Sequence, residues 1–86
     1  PKSIQARWNE RLHPEDRSRV QEHIAAALSS RDEDFRDEFR VVRPDGVERW
    51  LESVARIDRD AAGRAVRMYG VNVDITGRKQ AEEELA

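Results

Sequence analysis

Cysteine is absent from the 86 residues, which excludes a disulfide staple, a thiol nucleophile and any Cys-ligated zinc site. Aromatic residues make up only 6% of the chain, and no apolar run approaches the ~18 residues that a membrane-spanning helix needs. No signal-peptide pattern opens the sequence, so a cytoplasmic domain with no membrane contact by this segment is expected. An excess of charge is lacking too: 16 Lys and Arg stand against 18 Asp and Glu, a net charge of −2. Nucleic-acid modules normally carry a basic excess. Here the arginines alternate with acids along every element rather than gathering into a stripe, so no nucleic-acid partner is expected.

What is present is mostly charge, at 40% of residues, and of the 37% counted as hydrophobic ten residues are alanine. That leaves a thin core. A chain of this length makes one domain at most and buries only about 60% of the surface its unfolded form exposes. With no staple available, association with a second copy is the expected way to gain stability.

Apolar residues at Ile4, Trp8 and Leu12 are four apart and predict a short helix over 3–12, with Ser3 as its N-cap. Pro14 interrupts that helix and starts another, since its fixed φ suits the first helical position. Glu15 and Asp16 then place negative charge at the positive end of the helix dipole. Val20, Ile24, Ala27 and Leu28 predict the buried face of this second helix, which Ser29-Ser30 ends. From Phe35 the period falls to two. Phe35, Phe39 and Val41 share one face of a strand, and Arg36, Glu38, Arg40 and Val42 share the other. Pro44-Asp45-Gly46 is turn chemistry, so residues 47–58 read as the returning strand of an antiparallel hairpin. Asp60 and Gly63 mark a second turn, and a third, more apolar strand runs from Ala65 to Ile75. Thr76 is placed to cap a closing helix over 77–86, in which Arg78–Glu82 and Lys79–Glu83 pair at i, i+4.

Catalysis has little support in this pattern. The carboxylates occur in solvated runs, with no neighbouring histidine or glycine-rich phosphate loop, so no catalytic residues are assigned. His13 and His23 are too far apart to ligate one metal from a single helix face, and no metal site is assigned.

The order helix, helix, hairpin, strand, charged helix resembles the C-terminal two-thirds of a PAS domain. Four pieces carry the resemblance across nearly the whole chain. They are Leu12-His13-Pro14-Glu15-Asp16-Arg17; Arg43-Pro44-Asp45-Gly46 with Arg49-Trp50 after it; the Asp60/Gly63 turn; and Gly70-Val71-Asn72-Val73-Asp74-Ile75-Thr76-Gly77-Arg78-Lys79. The resemblance implies an α+β fold: a three-stranded antiparallel meander over 35–75 with helices packed on one side. Residues 1–76 would form a partial PAS domain and residues 77–86 the start of a signalling helix. The family's two opening strands have no counterpart here. The first of them lies beside the last strand of the family's sheet, so strand 65–75 is expected to have an unpaired edge, a template for another chain.

In the family's register one sheet face carries Phe39, Val41, Leu51, Ser53, Ala55, Met68, Gly70 and Asn72. A small-molecule pocket would draw on Phe39, Val41, Leu51, Ser53, Met68 and Asn72, with Ser53 and Asn72 as the polar members. The opposite face carries Trp50, Val54, Tyr69 and Val71, an apolar patch suited to a homodimer interface. Some family members hold haem on a helical histidine, for which His23 is the one candidate, and light-sensing members attach flavin through a cysteine that this chain lacks. No cofactor is assigned. The function implied is a non-catalytic sensory and dimerisation module of a larger bacterial signalling protein, a histidine kinase or a cyclic-di-nucleotide enzyme. Asp74, Ile75 and Thr76 would relay its state to the exit helix and to an effector domain in the same chain. The alternative is an adaptor that holds two chains together and binds no ligand.

Overall fold

The computed structural model describes residues 4–85, with side chains from Trp8 onward. The expected cap Ser3 and the Ile4 side chain lie outside the described residues. Two helices lead, α1 (Ile4–Arg11) and α2 (Pro14–Ser29). Strands β1 (Asp34–Val42), β2 (Glu48–Arg59) and β3 (Ala65–Asp74) follow, and helix α3 (Thr76–Leu85) closes the chain. The strands form an antiparallel meander in the order β1-β2-β3, so the architecture is the α+β arrangement that the alternation of periods predicts.

Local chemistry sets each boundary. Ahead of Pro14, His13 caps α2, its Nδ1 accepting the Glu15 N–H at 3.1 Å. At the other end the Ser30 N–H bonds back to the Ala26 carbonyl at 3.0 Å. Gly46 adopts φ +86°, a conformation that favours glycine, and its N–H closes the hairpin on the Arg43 carbonyl at 2.8 Å. In the second turn the Asp60 carboxylate accepts the N–H groups of Ala62 and Arg64, both at 2.9 Å.

Cross-strand partners Phe35–Ala55–Gly70 and Phe39–Leu51–Asp74 fix which residues share a face. Two core clusters sit between the inner face and the leading helices. One joins Ala27 to Phe35, Ala55 and Ile57. The other joins Leu12, Val20 and Phe39, all fully buried, and Trp8 meets Phe39 edge-on at 5.2 Å. Burying a side chain such as Phe39 contributes about 1.5–3 kcal/mol. Leu28 departs from the expected buried face of α2 and is 37% exposed. The helices are not all on one side either. Residues of α3 lie over Trp50 and Glu38, whose side chains leave the outer face.

The two edges of the sheet differ. On β1 the edge is guarded: Leu12 forms a bridge with Val41, and the His13 N–H bonds to the Arg40 carbonyl at 2.9 Å. The Arg40 N–H goes to the Asp16 carboxylate at 2.8 Å. On β3 no strand pairs with the outer edge among the described residues, as the unpaired-edge expectation has it.

Arg59, at the end of β2, gathers the other end of the fold. Its guanidinium donates to the carbonyls of Ala27 (2.8 Å), Leu28 (3.0 Å), Asp32 (2.9 Å) and Gly63 (3.2 Å). A cation placed on the last carbonyls of α2 complements the negative end of that helix, and it ties in the β2–β3 turn as well.

Candidate functional site

Where β3 ends and α3 begins, Trp50, Asp74, Ile75 and Thr76 close on one another through backbone and side-chain groups. The first intrahelical bond runs from the Lys79 N–H to the Ile75 carbonyl at 3.0 Å. That places Ile75 at the cap position and Thr76 inside the first turn. Asp74 supplies the capping oxygen, its Oδ1 accepting the Thr76 N–H at 2.9 Å. Thr76 therefore does not cap the helix, contrary to expectation. Its hydroxyl oxygen accepts the Trp50 N–H at 2.9 Å instead, while the Trp50 carbonyl takes the Ile75 N–H at 2.9 Å. Both backbone groups of one β2 residue thus hold the start of α3, and Ile75 and Thr76 are each only 7% exposed.

Asp74 also accepts from Arg49 Nε at 2.8 Å. That guanidinium, together with the Thr76 N–H and hydroxyl, holds the Asp74 carboxyl well below the usual carboxylate range. The residue stays ionised at every physiological pH and keeps both contacts.

The outer face next to this junction is occupied from within the chain. Lys79 Nζ lies 4.8 Å from the Trp50 ring centroid, and the Arg40 guanidinium carbon lies 5.6 Å from it. Cations over an indole face contribute about 0.5–1 kcal/mol at exposed sites. Of the four residues expected at an interface, Trp50 is thus half-buried beneath its own helix and Val54 is half-buried. Tyr69 (46%) and Val71 (64%) remain exposed.

On the inner face an open groove of about 670 Å³ lies between α2 and the sheet. Phe39, Ser53, Met68 and Asn72 line it, alongside Trp8, Ile24 and Leu28. Val41 and Leu51 do not: they pack into the cluster around Leu12, Val20 and Phe39. Ser53 and Asn72 are direct cross-strand partners, and among the described residues neither side chain has a hydrogen-bond partner. Every residue of the lining is uncharged. His23 is turned elsewhere, with its ring 4.6 Å from that of Phe35 and its Nδ1 3.0 Å from Asp37 Oδ2. The groove contains no histidine, so these residues do not fit a histidine-held haem. No group of three or more His, Asp or Glu placed to hold a metal occurs among the described residues, and none of their helices is long and apolar enough to cross a membrane.

Sequence reasoning missed Asp16 as more than a dipole charge. It is 8% exposed and takes three bonds from Arg40, to the backbone N–H (2.8 Å), Nε (3.1 Å) and Nη2 (2.8 Å). An acid at the start of a helix gives no local sign of a partner 24 residues away.

Comparison with known proteins places this geometry in context. A family model described as the PAS fold matches residues 1–72. The chain is 36% identical over 78 residues to the probable diguanylate cyclase DgcE of Escherichia coli, covering 91% of this chain and 7% of that protein. It is 37% identical over 75 residues to the sensor protein FixL of Bradyrhizobium diazoefficiens, covering 87% of this chain and 15% of that one. Among solved structures, a sensory box histidine kinase/response regulator from Burkholderia thailandensis superposes with a TM-score of 0.79 at 38% identity, covering 88% of this chain and 57% of that one. The N-terminal domain of a diguanylate cyclase with PAS/PAC sensor from Marinobacter aquaeolei gives 0.78 at 27% identity, over 91% and 70%. The chain thus spans a small fraction of the curated relatives it matches.

Proposed function

The chain belongs to the PAS fold family, and from that premise we propose that it is the sensory and dimerising module of a larger cytoplasmic signalling protein. The parent is a histidine kinase or a cyclic-di-nucleotide enzyme, and the module performs no chemistry of its own. The observation that carries this reading is the junction at Trp50, Asp74, Ile75 and Thr76, where β2 holds α3 through both Trp50 backbone groups. A small molecule in the inner groove would press on the β2–β3 pair at Ser53 and Asn72. The same two strands end at the α3 start, so their displacement reorients the helix that leads to an effector domain in the same chain.

In the parent protein, Asp74→Ala removes the Arg49 pair and the α3 cap without touching the core. Helix caps contribute about 1 kcal/mol, enough to shift the ratio of docked to undocked α3 about fivefold. Output activity and its response to stimulus should change while far-UV circular dichroism stays the same. Unchanged output in a folded variant removes the junction from the relay.

The second copy is placed against the exposed outer face around Tyr69 and Val71, with half-buried Val54 beside them. Val71→Lys puts a charge in the middle of that patch, and a charge buried without a partner is costly. Light scattering should then return a monomeric mass where the parent sequence gives a dimer. A dimer that survives Val71→Lys excludes this face.

A further inference from the structure

Alternate residues of a strand leave opposite faces of its sheet, and in β1 positions 37 and 38 are both carboxylates. Asp37 points inward and meets α2. Its two oxygens accept from Arg19 Nη1 at 2.8 and 3.0 Å, and its Oδ2 lies 3.0 Å from His23 Nδ1. Its side chain is only 8% exposed. The other terminal nitrogen of Arg19 donates to the Glu38 carbonyl at 2.8 Å, and Asp37 Oδ1 accepts the Glu38 N–H at 2.7 Å. One planar guanidinium of α2 therefore grips both the side chain of residue 37 and the backbone of residue 38.

Glu38 points outward and meets α3. Its Oε2 accepts from Arg78 Nη2 and its Oε1 pairs with Lys79 Nζ, both at 2.7 Å. Lys79 is the ammonium that lies over Trp50. The cation pair holds the Glu38 carboxyl below its ordinary range, with Lys79 as the main cause. A single carboxylate on β1 thus collects both basic residues of the first turns of α3.

We propose that Asp37 and Glu38 couple α2 to α3 directly across the sheet, with Glu38 as the positioning residue for the exit helix. This route lies within β1 and does not pass through Asp74. It rests on the reading of α3 as the output element. Arg19 and His23 sit on the helix that also roofs the groove through Ile24 and Leu28. An occupant that turns α2 pulls on Arg19, and the peptide between residues 37 and 38 turns with it. The Glu38 carboxylate then swings away from Arg78 and Lys79. A turn of one strand residue is enough, because ion pairs weaken steeply once their hydrogen-bond geometry is lost.

The test is amide exchange of α3 in the full 86-residue chain, with β2 amides as the internal measure of folding. Glu38→Gln keeps shape and removes charge, and should speed exchange over residues 79–85 about fivefold with β2 unchanged. Arg19→Gln should speed the same amides about threefold, although Arg19 bonds to β1 and not to α3. In the double variant the Arg19 change should add nothing to the Glu38 change, since a coupled pair is non-additive. Arg17→Gln serves as the control for loosening α2 in general. Arg17 bonds to the carbonyls of Glu10 and Leu12 rather than to β1, so it should leave α3 exchange alone. Additive effects of Arg19→Gln and Glu38→Gln, an α3 indifferent to Arg19→Gln, or an equal response to Arg17→Gln would each overturn the coupling. The reading of α3 as output fails separately, if neither Asp74→Ala nor Glu38→Gln changes the parent's output.

Discussion

Gly70→Ala should unpair β3 from β2. A Cβ at this position would lie 2.1 Å from the Val54 carbonyl oxygen and 2.6 Å from the Ala55 Cα. Both are backbone atoms of the neighbouring strand and cannot yield without breaking the ladder. Overpacking typically costs 1–3 kcal/mol, and contact with a rigid backbone belongs at the top of that range, about 3 kcal/mol. For a domain this small each kcal/mol lowers the melting temperature by about 4–8 °C. A thermal melt followed by circular dichroism should therefore fall by roughly 15 °C, with β3 amides losing protection first. Gly46→Ala, where a Cβ would meet nothing within 4 Å, strains only a left-handed turn residue and should cost about 1 kcal/mol. Equal melts for the two variants would mean that β3 lies farther from β2 than the structure places it.

Asp16→Ala should be comparably damaging, for a different reason. The carboxylate is the shared partner of the Arg40 side chain and of an edge N–H of β1. Deleting it leaves a guanidinium that is only 23% exposed with the exposed Glu15 carboxylate, at 3.2 Å, as its remaining acid partner. Removing one member of a buried pair costs about 3–5 kcal/mol, and the partial exposure of Arg40 argues for the lower figure. Arg40→Met in the same background should recover part of the loss, because the half-buried charge that has lost its main partner leaves with it.

Acid adds a second readout at this pair. The Arg40 side chain, helped by its N–H and opposed by burial, holds the Asp16 carboxyl below its ordinary value. A group whose folded pKa is depressed contributes stability that is present above its unfolded pKa, near 3.9. That contribution is lost as pH falls through the lower folded value. Denaturant midpoints should therefore drop more steeply below about pH 4 in the parent chain than in Asp16→Ala. Parallel pH profiles would show that Asp16 is not a source of the acid sensitivity.

The elements were legible where the signal is local. Pro44-Asp45-Gly46 and the Asp60/Gly63 pair are turns by their own backbone preferences, and the alternation from Phe35 onward sets both faces of β1. Asp74 could be read as a partner for a nearby N–H or a basic side chain, because an acid just before a helix has those options in reach. Apart from Leu28, the misreadings involve a partner far off in sequence. Thr76 has a good capping side chain, but Trp50, 26 residues earlier, takes its hydroxyl. Val41 and Leu51 are on the groove's face, yet Leu12 and Val20 fill that end of it. Arg59 has no local mark that separates it from the thirteen other arginines. Its role exists only once α2, the Asp32 loop and the β2–β3 turn converge on it.

The unequal edges of the sheet bear on how large an assembly this chain can build. Stacking by strand addition grows without limit only when every subunit offers two free edges, one to receive and one to give. Here Leu12, His13 and Asp16 already occupy the β1 edge at Arg40 and Val41, whereas no strand pairs with the outer edge of β3 among the described residues. Two copies that meet along β3 use up the only open edge each has among the described residues. Pairing then terminates at two for as long as the block at Arg40 and Val41 holds, which opposes growth through the sheet's edges even though its last strand is apolar and exposed.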